Sequence, residues 1–220
     1  MRRADYESAL AFYAREIKPD RAQILFVENT NADLSDFETV ARREGHALST
    51  LSYLEDPSVS EKGKGNGEAL MFDRVAEFLN LSPIPIRTVT KITGRLKVKN
   101  HATLLSRCAS FDRFISCRVS SDLKQVDTKY FVTDCATWTT YMTGLEPLVD
   151  EINGRYLEHA AALRFAQTRF DGLAWVQFRR RLHIEGISGS TGVPYGTFKH
   201  RIREGMGIAA TRIMSDRSYL

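Results

Sequence analysis

The sequence predicts an α/β domain built on a parallel-centred mixed sheet flanked by helices, and three observations carry that prediction. Helix-like and strand-like patterns alternate from the first residues onward, the order expected of a sheet with crossover connections. Residues 22–27 (AQILFV) form a short continuous apolar run, the type of strand buried on both faces. The 220 residues, 43% hydrophobic and 26% charged, suit one core of α/β size. The pattern divides into a single domain over 1–197 and a C-terminal tail over 198–220.

Asp5 stands as the cap of a first helix whose apolar face is Tyr6, Ala9, Leu10, Tyr13 and Ile17, ended by Pro19. The strand at 22–27 runs out into a polar loop, Glu28-Asn29-Thr30-Asn31-Ala32-Asp33, at the strand end where α/β proteins hold ligands. Ser35 and Glu38 have capping-box spacing for a helix carrying Phe37, Val40 and Ala41 and stopped by Gly45. Residues 46–54 read as a second strand with Ala47, Ser49 and Leu51 on one face. Residues 56–67 are the most loop-like part, and Glu61-Lys62-Gly63-Lys64-Gly65-Asn66-Gly67 joins three glycines to two lysines. A helix over 68–79 follows, with Phe72, Val75, Ala76 and Leu79 as its stripe. A glycine-rich loop at a helix N-terminus offers free N–H groups to an anion. The phosphate-loop pattern G-x-x-x-x-G-K-[ST] is absent, so a solvated loop and a ligand-facing loop are both open.

Residues 88–100, TVTKITGRLKVKN, lie in two extended runs, 86–92 and 96–98, broken at Thr93-Gly94-Arg95. The β-branched residues fit a pleated strand, and Gly94 permits a sharp bend or a close backbone approach. Arg95 puts a cation at the bend, and Asn100 reads as the N-cap of a short helix over 100–107. Strands are expected over 113–120 and 127–132, then Asp134 as the cap of a helix bearing Trp138, Tyr141 and Met142. Pro147 opens a helical turn. Gly154 breaks the pattern ahead of a helix that begins at Arg155-Tyr156-Leu157-Glu158-His159 and is expected to bury Leu163, Ala166 and Phe170. A strand over 173–184 leads to a second glycine-rich loop, 185–192, with three hydroxyls, followed by Tyr195. The tail reads as a basic amphipathic helix with Phe198, Ile202, Met206, Ala209 and Ile213 on one face.

A net charge of +4 from 31 basic and 27 acidic residues is mild, and the basic residues are not interleaved with stacking aromatics, which argues against nucleic acid. Cys108, Cys117 and Cys135 are odd in number and lack metal-ligand spacing, so they read as reduced thiols. No apolar run approaches the ~20 residues of a membrane span, and Met1-Arg2-Arg3 leads into Asp5 and Glu7 instead of an apolar segment; a cytoplasmic protein is expected. The basic tail is either a solvated face or a peripheral contact with the anionic inner leaflet.

Three features could share one chemistry: the lysine- and glycine-rich loop, Arg95, and the Glu158-His159 pair at a helix start. Sugar transfer from a nucleoside diphosphate needs positive charge on the departing diphosphate and a carboxylate or imidazole to take the acceptor's proton. Each residue also has a plainer role. Arg95 suits a surface charge or a structural pair, Glu158 is favoured at a helix start by the dipole, and His159 suits a helix face or a core. Residues 188–191 suit a turn as well as a sugar or phosphate contact. Asp127 and Asp134 suit acceptor hydroxyls, and Asp134 equally a cap.

Five segments carry a resemblance: ILFVENTNADLS at 24–35, GKGNGEA at 63–69, KITGRLKVKN at 91–100, YLEH at 156–159 and IEGISGSTGVPY at 184–195. In these the chain resembles the nucleotide-sugar-dependent glycosyltransferases of GT-A fold found in bacterial capsule, O-antigen and exopolysaccharide gene clusters. The resemblance implies a Rossmann-like, GT-A-type mixed sheet, a nucleoside diphosphate sugar as donor, and a glycan or lipid-linked glycan as acceptor. It also implies that Glu158 is the acidic catalytic residue; Arg95 and His159, read from the residues themselves, are expected to join it. Glu28, Asn29, Lys62, Lys64, Lys91, Thr93, Gly94 and Arg95 would hold the donor. Asp127, Ser188, Gly189, Ser190, Thr191 and Tyr195 would face the acceptor.

The chain departs from that family in two places. Such enzymes have a metal-binding D-x-D, in a K-T-D-D-D-V-F-V frame, where this chain has Thr93-Gly94-Arg95. Without the carboxylates a divalent metal loses its oxygen ligands, so no metal is expected, and Arg95 could hold diphosphate oxygens with its planar fork. The resemblance also implies an initial strand ahead of the first helix, whereas Met1 stands four residues before Asp5. A sheet lacking its first strand is therefore expected, and with it the alternative of a non-catalytic nucleotide- or sugar-binding protein derived from such a transferase.

Overall fold

The computed structural model describes residues 2–178, 180–187, 192, 194 and 195. The first helix, α1 (Arg2–Glu16), has Asp5 in its first turn and buries Ala9, Leu10, Tyr13 and Ala14. It is followed by β1 (Ile24–Glu28), α2 (Ser35–Arg43) and β2 (Leu48–Ser52). β1 and β2 pair in parallel, Ile24 against Leu48 and Glu28 against Ser52, with α2 as the crossover such a pair needs. Phe26 stacks on Phe37 at 4.6 Å between centroids and meets the edge of Tyr6 at 6.2 Å, which seats α1 and α2 against β1. The expected capping box at Ser35 and Glu38 does not form. Asp33 does that work instead, accepting from the Ser35 N–H at 2.9 Å and its hydroxyl at 3.0 Å, so Ser35 lies inside the helix.

A short helix, α3 (Pro57–Glu61), occupies part of the expected loop, and α4 (Lys64–Leu81) begins at Lys64 and takes in most of the glycine-rich run. The chain continues through β3 (Thr88–Ile92), β4 (Lys97–Val98), α5 (His101–Leu105), β5 (Phe114–Ser116), β6 (Tyr130–Asp134) and α6 (Cys135–Tyr141). It closes with α7 (Leu157–Phe170), β7 (Ala174–Trp175) and β8 (Ile184–Glu185). The larger sheet has the order β3-β6-β5-β7. β6 is antiparallel to both neighbours, whereas β5 and β7 are parallel. The fold is therefore mixed α/β, but its centre is antiparallel and its parallel pairs, β1–β2 and β5–β7, lie apart. A third, two-stranded antiparallel ribbon joins β4 to β8.

The expected strand over 173–184 is two short ones. β7 pairs with β5, the chain then leaves the sheet, and β8 pairs with β4. α7 also buries a different face from the one expected. Leu157, Ala160, Ala161, Phe165 and Thr168 point inward, whereas Ala166 is exposed and Leu163 and Phe170 are 62% and 87% exposed. The alanine face lets α7 pack closely on α4 and α6, and small side chains win over large ones there. Asn100 stands at the N-cap of α5 as expected, but its side chain makes no capping hydrogen bond there. Its amide instead accepts from the His183 N–H at 3.0 Å and donates to the Arg181 carbonyl at 2.8 Å, tying the end of β4 to the segment before β8.

The main core lies where α4, α6 and α7 meet the larger sheet. Phe72 lies 5.7 Å from Phe131 and 5.2 Å from Trp138, and Trp138 stacks on Phe131. Asp134 caps α6 as expected, accepting from the Thr137 N–H at 2.9 Å and also from the Phe114 N–H at 2.8 Å. The three cysteines are free thiols, and burial pushes the Cys117 thiol far up. No described helix is long and apolar enough to cross a membrane. The tail at 198–220 lies outside the described residues.

Candidate functional site

Two helix starts converge on the ends of β3 and β6. The antiparallel register that sets Lys91 against Phe131 and Ile92 against Tyr130 continues past the strands, where the Thr93 N–H donates to the Lys129 carbonyl at 2.9 Å. Thr93 thus sits beside the Asp127-Thr128-Lys129 turn. The same end receives the first turns of α4 and α7, so close together that a Cβ on Gly65 would lie 3.2 Å from the Leu157 Cβ. The first turn of α7 brings in Glu158, and Glu68 follows just past the first turn of α4.

A chain of polar contacts joins them. Lys91 Nζ donates to Glu68 Oε1, to the Thr128 carbonyl, and to Thr93 Oγ1 at 3.0 Å. Thr128 Oγ1 donates to Glu158 Oε1 at 3.3 Å, and the Val126 N–H donates to the Glu158 carbonyl at 3.0 Å. Asp127 pairs with Lys129 at 2.8 Å. Burial pulls the Lys129 ammonium down, but Asp127, with smaller help from Tyr195 and Glu158, outweighs it and raises the pKa. His159 Nδ1 accepts from the Tyr156 N–H at 3.0 Å, and its Nε2 lies 3.2 Å from the Gln125 side-chain amide. The imidazole is thus engaged in fixing the start of α7.

Arg95 follows on the turn closed by the Leu96 N–H to the Thr93 carbonyl at 2.8 Å. Its Nε is buried and has no hydrogen-bond partner among the described residues. Gly94 is required here by close approach, since a Cβ on it would come within 2.9 Å of the Tyr6 ring. Tyr195 follows the second glycine-rich loop, with its N–H on the Gly186 carbonyl at 2.9 Å and Ile187 bridged to Pro194. Ser188, Gly189, Ser190 and Thr191 lie outside the described residues.

The structure therefore brings together Lys91, Thr93, Asp127 and Glu158, with Gly94 and Arg95 on the adjoining turn. Other expected donor residues are engaged in the fold. The Glu28 carboxylate closes its own loop, accepting from the Thr30 and Ala32 N–H groups at 2.8 and 3.0 Å. Asn29 donates to Glu55 at 2.6 Å. Lys62 pairs with Glu146 at 2.9 Å, and Lys64 is exposed. The α4 N-terminus is already occupied by a carboxylate, because Glu151 accepts from the N–H groups of Lys64 at 3.1 Å and Gly65 at 2.9 Å. Glu68, Thr128 and Lys129 enter the site unannounced by the sequence. The β3–β6 register and the docking of α4 place them, and neither has a local signature. Among the described residues no group of three or more His, Cys, Asp or Glu gathers as a metal site. No family model matches the chain, and neither a curated protein nor a solved structure matches it.

Proposed function

We propose that the chain is a GT-A-type glycosyltransferase that moves a sugar from a nucleoside diphosphate sugar to a surface-polysaccharide acceptor, using chain cations in place of a metal. The observation that carries this reading is the linked set Lys91, Thr128 and Glu158 at one end of β3 and β6, with Arg95, whose buried Nε has no hydrogen-bond partner among the described residues, on the turn that follows Thr93. Glu158 would take the proton of the acceptor hydroxyl as that oxygen bonds to the anomeric carbon. The bond from that carbon to the diphosphate would break with its electron pair leaving on the diphosphate, where Arg95 would meet the charge. The acceptor would be a glycan or lipid-linked glycan, reached from the cytoplasm at the inner leaflet.

Thermal-shift titration with UDP-, GDP-, CMP- and dTDP-sugars tests the donor, since a ligand bound only to the folded state raises the midpoint. Arg95→Ala should weaken the stabilising donor about 10- to 100-fold, the effect of one lost charge-assisted contact. Unchanged affinity, or no stabilising sugar nucleotide at all, would overturn the proposal. The alternative, a non-catalytic binding protein, is favoured by the internal use of Lys62 and of the α4 N-terminus. Release of free nucleoside diphosphate separates the two.

A further inference from the structure

The Lys91 ammonium sits in a cage of oxygens. Its side chain is 10% exposed, and Nζ meets three oxygens of three kinds: the Glu68 carboxylate, the Thr93 hydroxyl at 3.0 Å and the Thr128 carbonyl. The Phe72 ring, its centroid 5.8 Å away, closes the apolar side. An ammonium has three N–H donors, and these contacts use all three. Carboxylate, hydroxyl and peptide carbonyl are the hard oxygen ligands that magnesium, calcium and manganese select. From this cage Thr128 leads outward, its hydroxyl on Glu158 at 3.3 Å.

We infer that Lys91 is a tethered cation held where a dissociable divalent ion would otherwise bind, and that through Thr128 it positions Glu158. Its role toward Glu158 rests on the proposed transferase; the cage does not. Lys91 is a positioning residue, because its donors are committed inside the protein and none is left for a ligand.

Removing the ammonium should leave a vacant oxygen site. In the full chain, Lys91→Ala should unfold at a lower temperature than wild type and recover on adding MgCl2, CaCl2 or MnCl2. At about ten times the dissociation constant the midpoint should rise by about 3–6 °C. The wild-type midpoint should not respond to these salts. Lys91→Met fills the cage without charge and should not respond either, and adding Glu68→Gln to Lys91→Ala should abolish the response. A Lys91→Ala midpoint indifferent to all three ions, or a wild-type response of equal size, would overturn the inference. If Lys91→Ala does not fold unaided, refolding with and without MnCl2 gives the answer: folded protein only with the ion supports the cage, and equal failure overturns it. These readouts are independent of sugar nucleotides, so a metal-responsive variant of a chain that binds no donor would sink the transferase and leave the cage standing.

Discussion

Glu28 ends β1 with its carboxylate turned back on its own loop. Partial burial raises its pKa, but the Thr30 hydroxyl and the Thr30 and Ala32 N–H groups outweigh that and hold it below its ordinary 4.5. A carboxyl more acidic in the folded chain than in the unfolded one adds stability above the unfolded value and loses it as pH falls through the folded value. Urea unfolding should therefore show stability dropping below about pH 4.5. Glu28→Gln should remove part of that slope and leave the part due to Asp33, Asp56, Asp122, Asp150 and Glu185, which are shifted the same way. Superimposable pH profiles would count against this account. At this scale the sequence is legible where one residue's chemistry is local: Asp134 is readable as a cap because its partner Thr137 stands three residues away. Lys91 is readable as a cation near the site, but its partner Thr128 lies 37 residues on, and only strand register unites them.

α4 shows why element boundaries are harder to read. Its first turn contains two glycines and an asparagine, poor helix formers, and its cap comes from Glu151, 87 residues beyond Lys64. Gly63, at φ +117°, holds a backbone that other residues rarely adopt, and a side chain there would collide with Glu151. The glycines that suggest a cradle for an external anion thus admit an internal one. Glu151→Ala should cost about 1–2 kcal/mol in urea unfolding, the loss of a capping carboxylate at a helix start. A change within experimental error would show that the cap is dispensable. The stripe of α4 is legible because its period is local and its large residues face the core. That of α7 is not, since its packing selects alanines that carry little hydrophobic signal.

Among the described residues the strands form three separate ladders of backbone bonds. The α/β class is legible from alternation alone, whereas sheet membership is not, because no local pattern says which edge a strand will meet. Among the described residues, β1 has β2 on one edge and no strand on the other, and all five of its residues are only half-buried despite an apolar sequence. β6, by contrast, has a strand on each edge and is buried throughout. Native-state hydrogen exchange should accordingly show the β1–β2 amides opening at lower free energy than those of β6. A single common opening energy would contradict that independence.

The seam between those sheets has a thermal consequence. Each sheet is laced by its own backbone, but the β1–β2 sheet meets the rest of the fold through side chains, including the apolar residues of α1 and α2 packed on it and the Tyr13 hydroxyl that reaches from α1 to the Leu96 carbonyl and the Val98 N–H. Apolar contact weakens on cooling, whereas a ladder of peptide bonds has no such dependence built in. Chilling should therefore loosen the seam before it frays either sheet, and this protein would then come apart in the cold along a line that heat does not single out.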